Sequence, residues 1–387
     1  MESLNEFAGD KLAGLEARRL RRRLVETERF GAARARRDGH ALISFCCNDY
    51  LNLSHHPDVK RAAIAATERY GAGAGASRLV TGNHPLFRDL EQRLAALKGS
   101  EDACVFGSGY LANLGIVPSL VGQRDMILAD ELSHACLLAG SDLSGATTHR
   151  FRHNDMGHVH ELLDEQRARH PRCLILTDGV FSMDGDLAPL DELSALAERF
   201  DAWLMSDDAH GIGVLGEGRG SGFVHRGPVE VPLQMGTLSK AIGGYGGYLC
   251  ASRPVIDFIK TRARTLIYST GLPPATVAGS IAALDLIARD PALCARPLAK
   301  ARLFAAELGL APPESTIVPL VLGDAPRALA ASELLRAEGF LVAAIRPPTV
   351  PEGTARLRFT FSAAHRDDDI VRLARLVKSR VIEAQAA

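Results

Sequence analysis

The sequence predicts an α/β protein: a mostly parallel central sheet with helices on both faces, followed by a smaller C-terminal α+β unit. Short continuous apolar runs, MILAD (126–130), RCLILTD (172–178), AWLMSDD (202–208) and GGYLCAS (246–252), alternate with segments of helical period, as expected for strands covered on both sides. Several of these runs end in polar or glycine-rich turns, at the carboxyl edge where open α/β sheets bind ligands. After Leu272-Pro273-Pro274 the texture changes to alanine- and leucine-rich helix up to about residue 308, and then to strand-like pieces.

The elements follow in order. Residues 1–40 carry ten basic and seven acidic side chains, densest in ARRLRRR at 17–23. Residues 1–45 are expected to form an N-terminal helical arm in which Leu12, Leu15, Leu20 and Leu24 pack inward. The alternative is that one arginine of the arm, Arg21, meets a carboxylate or phosphate of a substrate. From residue 40 the strand-like ALISF leads into two segments of helical period, HPDVKRAAIAATERYG and HPLFRDLEQRLAALKG, and then to DACVFGSG. With the four runs above, these make a large domain expected over 46–284. Residues 285–387 are expected to be the smaller unit, with TIVPLVL, FLVAAIR and ARLRFTFS as strands and a closing helix from Asp368.

Composition excludes several function classes. The 387 residues are 47% apolar and 24% charged with a formal net charge of −1, which suits a globular enzyme and lacks the basic excess of a nucleic-acid binder. Seven scattered cysteines without a CxxC pair read as buried residues of a reducing compartment, so the cytoplasm is the expected location. No apolar stretch reaches the roughly 20 residues that span a bilayer, and MESLNEFAGDKL carries acids where a targeting peptide would not. Neither membrane nor nucleic acid is expected as a partner. HNDMGHVH (153–160) holds three histidines and an aspartate. His153 and His160 are too far apart for one helical turn, and no Cys or HExxH pattern joins them, so no metal site is expected. Asp155 is expected to cap the helix that follows.

Three segments carry chemistry. In MGTLSKAIGGYGGYL (235–249) Lys240 sits between hydroxyl residues and a glycine run. A lysine with restricted solvent loses its proton and becomes a nucleophile able to form a Schiff base; most lysines near glycine turns are merely solvated, so the motif decides nothing alone. AWLMSDDAHGIGVLG (202–216) delivers Asp207, Asp208 and His210 to a glycine turn, and strand alternation puts the two aspartates on opposite faces. One of them is therefore expected to face a site and the other to fix backbone or partner groups. A cofactor whose protonated ring acts as electron sink needs such an anion; at about 4 Å it favours that proton by about 4 kcal/mol at an effective dielectric of 20. VFGSGYLANLG (105–115) offers backbone N–H groups to a phosphate at a helix start. It lacks the GxGxxG spacing and the later ribose-binding acid, which disfavours a nucleotide-binding oxidoreductase. Ser182 in FSMDG lies outside a GxSxG elbow, which disfavours a hydrolase triad.

Together with ADELSHACL, TDGVFSMDGD and YSTGLPP, these segments resemble, in order and spacing, the α-oxoamine synthases, a fold-type-I family of pyridoxal-phosphate (PLP) enzymes. The resemblance runs from about residue 40 to the C-terminus. It implies a PLP-dependent transferase that forms a homodimer with active sites near the subunit interface. It also implies that Lys240 holds PLP as a Schiff base, Asp207 pairs with the pyridine nitrogen, His210 bonds near the phenolic oxygen and His134 stacks on the ring. Backbone groups of Gly109 and Tyr110, with Ser182 and Thr237, would surround the phosphate or neighbouring oxygens, and Thr270 would reach it from the second subunit.

AIRPPTVPEGTARLRFTFSAAH (344–365) resembles the branch of the family that condenses L-alanine with a pimeloyl thioester of CoA or a carrier protein, losing CO2, in biotin synthesis. On that branch Arg346 holds the amino acid's carboxylate and Thr349 contacts substrate, with His134 and Arg21 as further substrate contacts. FCCNDYLNLSHHP and GASRLVTGNHPL agree with the family. Two departures stand out: Cys46-Cys47 where Ser-Ser is frequent, and Asn52 where Gly is frequent. A relative using glycine or serine with another acyl-CoA, and a non-catalytic PLP-binding protein, remain as alternatives.

Overall fold

The computed structural model of the chain describes residues 1–18, 20–224 and 229–383. Helix α1 (Glu2–Ala17) is followed by an antiparallel meander of β1 (Glu28–Gly31), β2 (Arg34–Arg37) and β3 (His40–Ser44). Helices α2 (Pro57–Tyr70) and α3 (Leu86–Lys98) precede β4 (Asp102–Phe106). Helix and strand then alternate through α4 (Gly109–Leu120), β5 (Met126–Asp130), α5 (Ala135–Ser144), β6 (Thr147–Phe151), α6 (Met156–Gln166), β7 (Cys173–Asp178), α7 (Leu190–Arg199) and β8 (Trp203–Asp207), after which β9 (Leu233–Thr237) and β10 (Gly247–Ala251) follow without an intervening α-helix among the described residues. The chain continues through α8 (Arg253–Arg262), α9 (Arg264–Ile267), α10 (Pro274–Arg289), α11 (Pro291–Leu308), β11 (Ile317–Gly323), α12 (Ala325–Ala337), β12 (Phe340–Leu341), β13 (Ala343–Ile345), β14 (Ala355–Thr360) and α13 (Asp367–Val377).

The seven-stranded sheet has the order β4-β10-β9-β8-β7-β5-β6, and only β10 runs against its neighbours. Alternate residues of each strand enter different cores, as period two requires. Cys104, Phe106, Ile127 and Ala129 pack under α4 and α8, while Ala103, Val105, Met126 and Leu128 face the opposite layer. All strands but β10 therefore end on the same edge, where the loops that follow them gather. A three-stranded antiparallel sheet, β11-β14-β13, is packed with α11, α12 and α13 around a core of its own that includes Phe304, Phe359 and Phe361. This α/β sheet with a smaller α+β unit is the architecture expected from the apolar runs. Strand β12 pairs in parallel with β3, so residues 40–44 are joined to the C-terminal unit.

The arm differs from expectation. Residues 2–17 are helical, but 28–44 are strands rather than helix, and no residue of α1 is buried. Leu12 and Leu24 are exposed, and Leu15 and Leu20 are only half-buried, so the expected inward packing is absent. Closely spaced like charges in ARRLRRR oppose continuation of the helix, and the turn closes with Leu20 N–H donating to Leu15 O at 2.8 Å. Asp155 caps α6, accepting from the backbone N–H of His158 at 2.9 Å. Asn52 lies at φ +56°, a left-handed angle that asparagine tolerates better than most residues, which explains its use at a position where glycine is common. Among the described residues no helix is long and apolar enough to cross a membrane.

Candidate active site

The carboxyl edge of the sheet brings the chemistry-bearing segments together. Asp207 ends β8 and Asp178 ends the adjacent β7, directly opposite in register. Asp207 Oδ2 accepts from Asn113 Nδ2 at 2.8 Å, and its Oδ1 from the backbone N–H of Ala209 at 3.0 Å. The next residue is turned the other way. Asp208 Oδ2 pairs with the buried Lys98 Nζ at 2.8 Å and its Oδ1 accepts from Ser221 N at 3.0 Å. The alternation that separates the aspartates thus leaves Asp207 with the site residues and gives Asp208 a structural cation.

Lys240 stands in the turn after β9, with Nζ 2.7 Å from His210 Nε2. On the other side of that ring, His210 Nδ1 is 2.7 Å from the hydroxyl of buried Tyr50. Burial pushes the Lys240 ammonium down to about 8, against the pull of Asp207 and Asp178; the Arg358 charge adds to the downward push. Burial, helped by the Lys240 charge, holds His210 well below the usual histidine range, and burial raises Tyr50. Neutral His210 therefore follows the lysine. A protonated Lys240 donates to Nε2, leaving the ring hydrogen on Nδ1 to face Tyr50; a neutral Lys240 accepts from Nε2–H while Tyr50 donates to Nδ1.

Asp178 was not singled out in the sequence, although TDG ends a strand run. Burial and then the Asp207 charge raise its pKa well above the carboxylate range, and it accepts the backbone N–H of His134 at 2.7 Å. His134 keeps an exposed edge, yet partial burial pushes its pKa below the ordinary value against the pull of Asp207, and the Lys240 charge adds to that push.

The start of α4 lies against the end of β9. A Cβ on Gly109 would come within 3.3 Å of Met235 Cε and 3.5 Å of Thr237, so the helix start is close-packed on this strand end. Ser108 caps the helix through Leu111 N at 3.1 Å, and the remaining first-turn N–H groups point out of the helix end, as an anion requires. Tyr110 has an exposed side chain, so its backbone is the part that belongs to this cradle. Thr237 Oγ1 donates to Gly246 O and lies near Ser239 Oγ, each at 2.8 Å. An anion cradle, a buried lysine of lowered pKa and a carboxylate on the adjacent strand fit the phosphate, aldehyde and ring nitrogen of PLP.

Other expected residues lie at the wall and rim. The backbone oxygen of Ser182 accepts from Arg358 Nε, and Arg358 Nη1 reaches Asn48 Oδ1 at 3.3 Å. Arg356, its neighbour on β14, binds Met183 O and Asp184. Both arginines are buried; the run ARLRFTFS was legible as a strand but not as the source of a site-facing cation. Arg346 Nη2 contacts Arg21 O at 3.4 Å, whereas the Arg21 side chain turns to Glu16 at 3.2 Å. The arm's guanidinium that touches the turn carrying Thr349 is that of Arg22, 3.1 Å from Thr349 Oγ1. Thr270 is exposed and bridged to Ser77 through its backbone.

Comparison with known proteins adds the family. Residues 40–377 match the family model of class I and II aminotransferases. A protein of Beijerinckia indica subsp. indica named 8-amino-7-oxononanoate synthase is 62% identical over 377 residues, covering 97% of this chain and 98% of that protein. The structure of serine palmitoyltransferase from S. paucimobilis, with a bound PLP-myriocin aldimine, has a TM-score of 0.89 at 28% identity, covering 99% of each chain. That of 8-amino-7-oxononanoate synthase from Francisella tularensis has a TM-score of 0.75 at 27% identity, covering 89% of this chain and 99% of that one. The fold is therefore the fold-type-I arrangement expected from the motifs, the cofactor is PLP, and the chain is a transferase. With its full-length likeness to proteins named 8-amino-7-oxononanoate synthase, the chain belongs to the class I and II aminotransferase family of PLP enzymes.

Proposed function

We propose that the protein condenses L-alanine with a pimeloyl thioester, releasing CO2 and the thiol of CoA or a carrier protein, to form 8-amino-7-oxononanoate in biotin synthesis. The observation that carries this reading is Lys240, buried with its pKa lowered to about 8 and 2.7 Å from His210, on the same sheet edge as Asp207. PLP, when bound, supplies an electron sink for the pair released when bonds to the amino acid's Cα break. Lys240 would hold the cofactor through Nζ, and as a free amine with its pKa lowered to about 8 it is about half neutral near pH 8, able to take the Cα proton. His210, with Tyr50 behind it, passes hydrogen-bond donation to or from that Nζ. Asp207, held by Asn113 and Ala209 on its two oxygens, would be the partner of the ring nitrogen. Gly109, Tyr110, Thr237 and Ser182 would serve the phosphate and neighbouring oxygens, and His134 would cover the ring face.

Two arginines compete for the alanine carboxylate. Arg346 was expected in this role from the resemblance, but it is partly exposed and its contact is the arm backbone. Buried Arg358, which depresses the Lys240 pKa, is supported as the nearer anchor, leaving Arg346 and Thr349, with Arg21 and Arg22, at the entrance used by the acyl thioester. A homodimer with sites near the interface is supported by Thr270, which is exposed in the single chain. The seven free cysteines support a reducing, cytoplasmic setting.

The test is product identification by mass spectrometry from alanine and pimeloyl-CoA, with borohydride labelling of Lys240 in the PLP-loaded protein. An unlabelled Lys240 overturns the role given to that amine, and no ketone product overturns the reaction. The TM-score of 0.89 to serine palmitoyltransferase favours serine and a long acyl thioester as a second reading. The 62% identity to a synthase named for the alanine-derived product outweighs the 28% of that comparison, and serine with palmitoyl-CoA in the same assay decides between them.

A further inference from the structure

His134 opens α5, and its ring is the cap: Nδ1 accepts the backbone N–H of Cys136 at 3.2 Å. The same nitrogen is 2.8 Å from Cys136 Sγ. On its other side the sulfur is 3.0 Å from Asn113 Nδ2, which also donates to Asp207 Oδ2 at 2.8 Å. A carboxylate only accepts, so the amide edge facing Asp207 carries the hydrogens, and the second N–H of Asn113 is directed at the sulfur. The sulfur accepts from Asn113 and its own hydrogen is free for Nδ1. Burial, reinforced by the Asp207 charge, pushes this thiol up to about 12, so it keeps that hydrogen at neutral pH.

We propose that Cys136 is a positioning residue that holds His134 as the Nε2–H tautomer, with Asn113 tying the ring to the carboxylate of Asp207. The chain runs Asp207, Asn113, Cys136, His134: Asn113 donates to the carboxylate on one side and to the sulfur on the other, and the thiol hydrogen runs on to Nδ1. Two donors on Nδ1 leave Nε2 as the nitrogen that carries the ring hydrogen, so His134 meets the site as a neutral hydrogen-bond donor. The inference rests on the reading of His134 and Asp207 as cofactor-site residues and adds what fixes the state of the first.

The experiment is 15N spectroscopy of histidine-labelled, PLP-loaded protein near pH 7.5, with His134 assigned by its loss in His134→Gln. Wild-type protein is expected to show a bare Nδ1 and a protonated Nε2. Cys136→Ser, which keeps a donor and an acceptor, is expected to preserve that pattern. Cys136→Ala is expected to shift the tautomer ratio toward Nδ1–H by roughly fivefold, the scale of one ordinary hydrogen bond. A protonated Nδ1 in wild-type protein overturns the proposal without any variant. An unchanged ratio in Cys136→Ala, or a serine variant that behaves like the alanine one, also overturns it. Failure here with Lys240 still labelled by borohydride sinks only this inference; an unlabelled Lys240 with a protonated Nε2 sinks the functional reading instead.

Discussion

The floor of the site and its rim are built by different physics. At the floor Lys240, His210 and Tyr50 form one chain of 2.7 Å contacts and Asn113 and Asp207 a second pair at 2.8 Å, the two groups interacting through the charges of Lys240 and Asp207. At the rim Arg22, Thr349, Arg21 and Arg346 meet through contacts of 3.1 to 3.4 Å on the exposed side of the molecule. Buried polar groups are costly to leave unpaired, so each floor residue dictates the state of the next. Exposed pairs compete with water and are worth little. On the proposed function the chemistry is thus set in a buried layer, and the choice of acyl partner falls to a surface that is easily altered.

Substitutions can break this contrast. The largest effect is expected for Lys240→Ala, which should abolish borohydride labelling and lower turnover by roughly a thousandfold or more, measured as CoA release. Asp208→Asn should act on stability rather than chemistry: it leaves the buried Lys98 charge without its partner, at a cost of about 3 to 5 kcal/mol read from denaturant unfolding. A comparable loss of turnover without loss of stability would show that Asp208, not Asp207, serves the site.

Acid tests the wall behind the floor. His365 stacks on Phe45 and accepts from Ser362 N, and burial pulls its pKa down to about 4. The unfolded histidine binds a proton near pH 6.5 while the folded one resists it. Stability therefore falls as pH drops from about 6.5 to about 4, by about 3 kcal/mol in total, and is constant below that range as far as this group is concerned. His365→Gln should flatten that part of an unfolding-versus-pH profile.

Smaller effects sharpen the division between the two arginines. Arg358→Leu should raise the alanine KM by roughly tenfold to a hundredfold, the scale of a charged hydrogen bond, whereas Arg346→Leu should act mainly on the acyl thioester KM. The reverse pattern restores Arg346 as the carboxylate anchor. Arg22→Ala, at the exposed end of the series, should cost less than about 1 kcal/mol in stability and leave the alanine KM unchanged.

Much of the architecture was legible. MILAD, RCLILTD, AWLMSDD and GGYLCAS each became a strand of the main sheet, because a run apolar on both faces has few other places to go. The separation of Asp207 from Asp208 follows from strand alternation, yet which one faces Lys240 depended on Lys98, a residue 110 positions away from Asp208. The arm was misjudged because leucines at helical spacing predict a face but not a partner, and none covers α1 in this chain. Arg358, Asn113 and Cys136 were passed over for the same reason: a buried arginine on a strand, an amide one turn into a helix and a thiol two residues after a histidine look ordinary until their partners are known.

Beyond the arm, the sequence by itself determined the order of the main strands and helices, the glycine turns at their ends and the residue types able to carry this chemistry, since periodicity and turn preference act over a few residues. Only the tertiary structure decided which of those residues are paired, buried and shifted in pKa. Those properties come from segments far apart in the chain meeting where water is excluded, and no local pattern encodes the meeting.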